Sequence, residues 1–315
     1  MAKSRRAAFA TGSRCNLVTQ WKSFIIFCRH FDLIWLPTTS LVLSLYAQFL
    51  SRTFQAPSSI RNYISGIKTL HCLLELPTDI FHVLELRLAV RGISRLNPHC
   101  PKRASPITPA ILHKIYSILD MSIPSHTVFW SLFLLAFFTL SRKSNLVTSG
   151  KKHSSKQVSR GDIQLGTNGL MVNFNWTKTI QFGQKVLQIP LVAMTGSKLC
   201  PVKAYSNMVS MVPAPNGSPA FVLPSSVGVS PVTYIQFQTF LRSCINQIGL
   251  SPSDYSSHSF RRGGATWAFK AKVPSKLIKV QGDWLSSAYM VYLEFSTEQR
   301  LQVCKSMMQA IQNSD

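Results

Sequence analysis

Residues 257–295, "SHSFRRGGATWAFKAKVPSKLIKVQGDWLSSAYMVYLEF", place His258 and Arg261 three positions apart, then Trp284, then tyrosines at 289 and 292. On a helix, side chains three apart lie on one face, so this imidazole and guanidinium can meet a single anion. Arginine grips phosphate through a planar fork of donors that lysine cannot reproduce. A phenol on a later helix can then attack the phosphorus that the arginine holds. A nucleophile beside an electrostatic clamp suffices for phosphoryl transfer without a cofactor. Alone, the H-x-x-R spacing is also that of a surface histidine beside a solvated arginine, and both tyrosines can be core aromatics. The rest of the chain has to decide.

The charge narrows the field. Among 315 residues there are 34 Lys+Arg against 11 Asp+Glu, a net charge of +23. With so few acids to neutralise the bases, much of the surface must be positive, and such a surface attracts polyanions, duplex DNA above all. A hydrophobic share of 46% is enough for a packed core and excludes a disordered tail. The cysteines at 15, 28, 72, 100, 200, 244 and 304 are scattered and never form C-x-x-C, which argues against a disulfide framework and a zinc site. A reducing nucleus or cytosol fits them. The basic start "MAKSRRAAFATGSRC" lacks a continuous apolar core, so no signal peptide is expected. The most apolar run, 127–140 ("TVFWSLFLLAFFTL"), is too short for a bilayer and reads as a buried helix.

Periodicity predicts helices through the first hundred residues: "NLVTQWKSFIIFCRHF", "TTSLVLSLYAQFLSRTF" with Thr38, Thr39 or Ser40 as cap, and "APSSIRNYISGIKTLHCLLEL" with Ser58 or Ser59 as cap. A further helix, 79–95, carries Arg87, Arg91 and Arg95 at four-residue steps, while Arg61 and Lys68 lie seven apart. The faces are basic with almost no acids between, which favours DNA-backbone contact over a merely solvated surface. The proline-rich "NPHCPKRASPITP", with Lys102 and Arg103, reads as a linker. The boundaries expected are a helical domain 1–98, a linker 99–108 and a second domain 109–315. Thr108 followed by Pro109 is a helix start.

In the second domain the apolar run ends in "SRKSNLV", so Arg142 stands at the mouth of a buried helix, where it can also neutralise the helix dipole. Residues 151–160 form a basic loop. "GLMVNFNWTKTIQFGQKVLQIPL" reads as a β-hairpin with Lys178 near its tip, a place where lysines are commonly just solvated. Helices are expected at 200–212 and 232–249, with a Pro/Gly/Ser loop over 213–231. No Walker or G-x-G-x-x-G phosphate loop is present.

Taken in order, Arg142, Lys178, His258, Arg261, Trp284 and Tyr292 resemble the tyrosine recombinases, the phage-integrase and Xer-like enzymes with the pattern R…K…H-x-x-R…H/W…Y. "LSRKSNLV" stands where the family has its first arginine, "HSFRRGGAT" where it has H-x-L-R-H-T-x-A-T, and "GDW" where it has L-G-H, with Tyr292 eight residues on. The wording looks most like recombinases of eukaryotic mobile elements, the Cryptons and tyrosine-recombinase retrotransposons. Two departures stand out: Asn145 replaces a common acid, and Trp284 replaces the usual histidine, keeping a donor but losing proton transfer.

The resemblance implies a mainly α protein. A helical, SAM-like core-binding domain would precede an α-rich catalytic domain with a small antiparallel β-sheet, the DNA breaking-rejoining enzyme fold, and the two would clamp duplex DNA. Arg142 and Arg261 would hold the scissile phosphate, helped by Trp284. Tyr292 would form a 3′-phosphotyrosyl link, with Tyr289 as its rival. Lys178, at a mobile hairpin tip, would protonate the leaving 5′-oxygen, and His258 would assist proton removal from the tyrosine. Arg61, Lys68, Arg87, Arg91, Lys102, Arg103 and Arg262 are candidate DNA contacts. No metal, cofactor or membrane is implied, and a tetramer on synapsed DNA is. Its apolar positions Leu301, Val303 and Met307 suit the C-terminal helix to docking on a neighbouring protomer. A domesticated DNA-binding protein and a type IB topoisomerase share these features.

Overall fold

The structure, a computed structural model, describes residues 7–150, 154–167, 169–292 and 297–313. They fall into two compact units, Met1–Lys102 and Arg103–Asp315. The first unit is built from helices α1 (Thr11–His30), α2 (Ser40–Ser51), α3 (Pro57–Leu73) and α4 (Leu84–Leu96), with a 3₁₀ turn at Asp79–Phe81. Thr39 caps α2 by accepting from the Val42 N–H at 3.3 Å. α3 is capped at Ala56, two residues before Ser58, with Pro57 in its first turn and no side-chain cap. Phe24, Leu43, Tyr46, Ile60 and Ile67 fill the core, and Phe24 meets Tyr46 edge-on at 5.0 Å. Arg61, Arg87 and Arg91 rim a groove floored by Ile64, Phe81, Leu86 and Val90.

The second unit runs α5 (Pro109–Ile118), α6 (Pro124–Phe138), α7 (Lys143–Leu146), β1 (Ile163–Leu165), β2 (Gly169–Phe174), β3 (Leu187–Val192), α8 (Pro201–Met211), β4 (Val222–Ser225), β5 (Gly228–Pro231), α9 (Tyr234–Gln247), α10 (Ser257–Lys270), α11 (Ser275–Gln281), a 3₁₀ segment (Ser287–Tyr292) and α12 (Thr297–Gln312). α6 is apolar all round and every residue from Thr127 to Phe137 is buried, so the rest of the unit assembles about it. Phe133 of α6 stacks on Phe260 of α10 at 4.9 Å, and Phe237 of α9 packs on the same ring at 5.7 Å. β1, β2 and β3 form an antiparallel sheet, with Leu170, Val172 and Phe174 of β2 turned into the core. No helix among the described residues is long and apolar enough to cross a membrane.

Two local expectations are corrected. The Pro/Gly/Ser stretch 213–231 contains the antiparallel hairpin β4–β5, which pairs Val222 with Pro231 and Ser225 with Gly228. Its prolines hid the strands, because at a two-stranded edge a missing N–H costs little. The later part of the proline-rich segment is not a free linker. Ile107 is fully buried and donates its N–H to Ser259 at 2.9 Å, while the Ser105 N–H reaches Asp254 at 2.6 Å. On α12, Leu301 and Met307 are exposed, as are Met308 and Ile311. The Val303 side chain, residues 151–153 of the basic loop and residues 293–296 lie outside the described residues.

α10 reaches the end of α6 only because it carries Gly263 and Gly264. A Cβ on Gly263 would overlap the Ile107 backbone, and one on Gly264 would overlap the Phe137 carbonyl and the Leu140 side chain. Gly264→Ala is therefore expected to destabilise the chain by about 1–3 kcal/mol, the usual range for overpacking a tight contact. Urea unfolding checks this, and an unchanged midpoint would show that α10 can back away freely.

Candidate active site

The site forms where the N-terminal half of α10 meets the exit of α6. Ser256 caps α10 by accepting from the His258 N–H at 3.2 Å, and the Ser259 hydroxyl accepts from the Ser256 N–H at 3.0 Å. That cap puts His258 in the first turn and Arg261 one turn on. Arg261 is only 3% exposed. Its fork donates to the Leu140 carbonyl and, at 2.6 Å, to the Gly282 carbonyl. Both acceptors lie at chain reversals: Leu140, just past α6, has φ 51°, and Asp283, just past α11, has φ 52°. Left-handed backbone at such residues costs energy and persists only where surrounding contacts hold it.

Sequence reasoning passed over Asp283. One of its carboxylate oxygens, Oδ2, accepts from Thr177 Oγ1 at 2.6 Å, from Thr179 Oγ1, and from Arg142 at 3.5 Å. Arg142 also donates to the Asp283 backbone carbonyl at 3.4 Å. Arg142 thus stands at the N-terminus of α7, joined to the end of α11. Lys178 lies between the two threonines and is exposed. It lies in the connection of the β2–β3 hairpin, which closes where Phe174 pairs with Leu187. The β2–β3 connection folds inward at Thr177–Ile180, where the Thr177 N–H meets the Ile180 carbonyl at 3.0 Å and both residues are buried. Gly183, with φ 69°, turns the chain further out. The acid beside Trp284 in "GDW" was the available signal for Asp283, but its hydroxyl partners lie about a hundred residues away in sequence.

Trp284 is buried and lays its ring under Arg261, whose guanidinium carbon is 3.8 Å from the ring centroid. Its other neighbours are Tyr289 and Tyr292, with ring centroids 5.9 Å and 5.8 Å away. Both tyrosines ride the 3₁₀ segment rather than an α-helix. At three residues per turn they still face the same side. Tyr289 is buried and Tyr292 half-buried, and Thr266 of α10 donates its hydroxyl to the Tyr292 carbonyl.

The electrostatics favour an anion. Burial, and then the neighbouring Arg142, pull the Arg261 pKa down to about 9, while Tyr292 and Asp283 push it back up. At neutral pH it remains a cation that the protein has removed from water. His258 keeps an exposed edge, yet the mass around its ring, and then Lys143, Arg261 and Arg142, hold its pKa below the usual value. Lys143 lies 3.3 Å above the Tyr234 ring centroid. Lys143, Arg261 and Arg142 therefore gather their charge near His258, and Arg142 also reaches the Asp283 carboxylate.

The candidate DNA contacts are spread. Arg61, Arg87 and Arg91 share the groove of the first unit, and Lys68 lies 2.7 Å from His82 there. Lys102 and Arg103 are exposed. Arg262 donates to the Ala104 carbonyl at 2.8 Å, which gives it a structural task in anchoring the segment before Ile107. Among the described residues no group of His, Cys, Asp or Glu is placed to hold a metal ion.

No family model and no curated protein matches the chain. Solved structures do. It is similar to the Tn1549 transposon integrase in complex with circular-intermediate DNA, at 12% identity and a TM-score of 0.60, covering 93% of this chain and 99% of that one. A lambda integrase dimer bound to a COC′ core site matches at 14% identity and a TM-score of 0.58, covering 91% and 73%. The XerH site-specific recombinase with palindromic difH substrate, a post-cleavage complex, matches at 14% and 0.57, covering 86% and 70%. Identities this low speak to the fold, and the mainly α architecture with small antiparallel sheets set out above is the tyrosine recombinase fold.

Proposed function

We propose that the chain is a site-specific DNA strand transferase, a recombinase or integrase that cuts and rejoins duplex DNA through a 3′-phosphotyrosyl intermediate. The observation that carries this reading is the buried Arg261, paired with Arg142 and stacked on Trp284, with Tyr292 beside the same indole. A desolvated double-arginine site with one carboxylate among its cations holds a phosphate diester better than any neutral ligand. Arg142 and Arg261 then grip the non-bridging oxygens. Tyr292 attacks phosphorus as the bond to the 5′-oxygen breaks, Lys178 gives that oxygen its proton, and His258 accepts the phenolic one. The groove arginines 61, 87 and 91, with Lys68, Lys102 and Arg103, contact the duplex backbone. A tetramer on synapsed DNA, an origin in a eukaryotic mobile element and action in the nucleus complete the proposal.

The test works without a known target sequence. The chain is incubated with nicked duplexes of randomised sequence, and covalent complexes are recovered after denaturation. Enrichment of a sequence on the covalently bound strand supports the reading. Binding without any covalent product would favour a domesticated DNA-binding protein.

A pH dependence follows from His258. Its pKa lies below the usual value of 6.5, so the imidazole is neutral and able to accept a proton down to a pH below that value. Cleavage should hold steady through neutrality and fall only as the pH drops beneath about 6.5. In Lys143→Met, which removes the largest of the cationic contributions, the falling limb should move up towards 6.5. A limb that ignores Lys143→Met would assign it to another group.

A further inference from the structure

We infer that Asp283 is a positioning residue: its carboxylate fixes Lys178 over the reacting phosphate by holding the two threonines that flank it. The inference rests on the function proposed above and concerns its proton donor. Two readings of Asp283 compete, neutralising Arg142 or tying down the Lys178 turn. Distances separate them. The Thr177 hydroxyl lies 2.6 Å from Oδ2 and the Thr179 hydroxyl is in tight contact with it, whereas Arg142 stands at 3.5 Å.

The hydroxyl inventory points the same way. A threonine has one proton to donate. Thr177 Oγ1 already accepts from the Thr179 and Ile180 N–H groups at 3.1 Å and 3.0 Å, and its proton goes to Asp283 Oδ2 at 2.6 Å rather than to the Thr179 hydroxyl at 3.1 Å. Thr179 has the same target. That one oxygen thus takes both hydroxyls and the Arg142 guanidinium. Thr177 and Ile180 are buried, so the turn is seated in the protein at both ends, and only the lysine between the threonines faces out. A residue bracketed by two anchors has its Cα fixed within about 3.8 Å of each. That converts a flexible lysine into a donor of set origin, which proton transfer to a departing oxygen requires.

The chemistry supplies a selective readout. In cleavage the bond from phosphorus to the 5′-oxygen breaks as the bond to Tyr292 forms, and the Lys178 ammonium gives its proton to that oxygen. Where a 5′-bridging sulfur replaces the oxygen, a thiolate leaves. Its conjugate acid has a pKa of about 8.5, so no proton is needed. A defect that acts through Lys178 is therefore bypassed by the sulfur substrate, and a defect in phosphate binding or folding is not.

The experiment compares covalent-complex formation by the full chain on a nicked duplex recovered as above and on the same duplex with a 5′-bridging phosphorothiolate. Asp283→Asn keeps the size and the tolerance of positive φ. Thr179→Val removes one hydroxyl from the turn and guards against an Asp283 variant that fails to fold. On oxygen DNA both are expected to slow the reaction by roughly tenfold to a hundredfold, within the range that general acid catalysis contributes. On sulfur DNA both should return to near the wild-type rate, as Lys178→Ala does. Variants equally slow on both substrates, or unaffected on oxygen DNA, would overturn the role of Asp283. Failure of the wild type on both substrates would overturn the strand-transfer reading itself and this inference with it.

Discussion

Tyr292→Phe is expected to abolish covalent attachment to DNA, and Tyr289→Phe to leave it. The two phenols are almost equidistant from Trp284, so the indole does not choose between them. Arg261 does. Tyr292 is among the groups near enough to Arg261 to raise its pKa, so its phenol lies within electrostatic reach of the clamp. Tyr289 is instead buried in the small core formed with Leu140, Ala265, Ile278 and Trp284. Phenylalanine at 289 keeps that packing. At 292 it removes the only atom able to bond to phosphorus, and losses on removing a covalent nucleophile reach roughly a millionfold. A denaturing gel after incubation with recovered nicked duplex reads the outcome, with a binding assay showing both variants still on DNA. An adduct that survives in Tyr292→Phe and disappears in Tyr289→Phe would exchange the two roles.

Arg261→Lys carries the second large effect. A lysine preserves charge, but it cannot donate in one plane to Leu140, to Gly282 and to a phosphate oxygen. At least one buried carbonyl then loses its partner, at about 1–3 kcal/mol of stability. Loss of an oriented donor to the transition state slows cleavage by about 10²–10³-fold. Single-turnover cleavage at saturating protein checks the rate, and urea unfolding checks the stability. A variant that cleaves within a few-fold of the wild type would show that charge alone, and not the fork, serves the site.

Much of the fold was legible because it depends on local pattern. The all-round apolar run of α6 announces burial, Thr108 before Pro109 marks a helix start that the structure keeps, and the H-x-x-R spacing places two side chains on α10 wherever the helix goes. What stayed hidden depends on groups that every residue owns. Arg261 is held by main-chain carbonyls of Leu140 and Gly282, and no side-chain type betrays which carbonyl is used. Strand composition on both sides of Lys178 suggested a hairpin with the lysine at its end. That hairpin forms, and the apolar Ile180 draws its connection inward, so Lys178 sits on an anchored turn. The one large apolar residue in the proline-rich segment, Ile107, is likewise what docks that segment against α10.

The covalent bond can be read directly. Lys279 and Arg300 bound the stretch that holds both tyrosines, and fragmentation separates positions 289 and 292 within it. The trapped complex is trimmed with nuclease, digested with trypsin and analysed by mass spectrometry. The expected result is a nucleotide joined through its 3′-phosphate to Tyr292. A nucleotide on any other residue, or no nucleotide-bearing peptide from chain that binds the duplex, would contradict strand transfer through Tyr292.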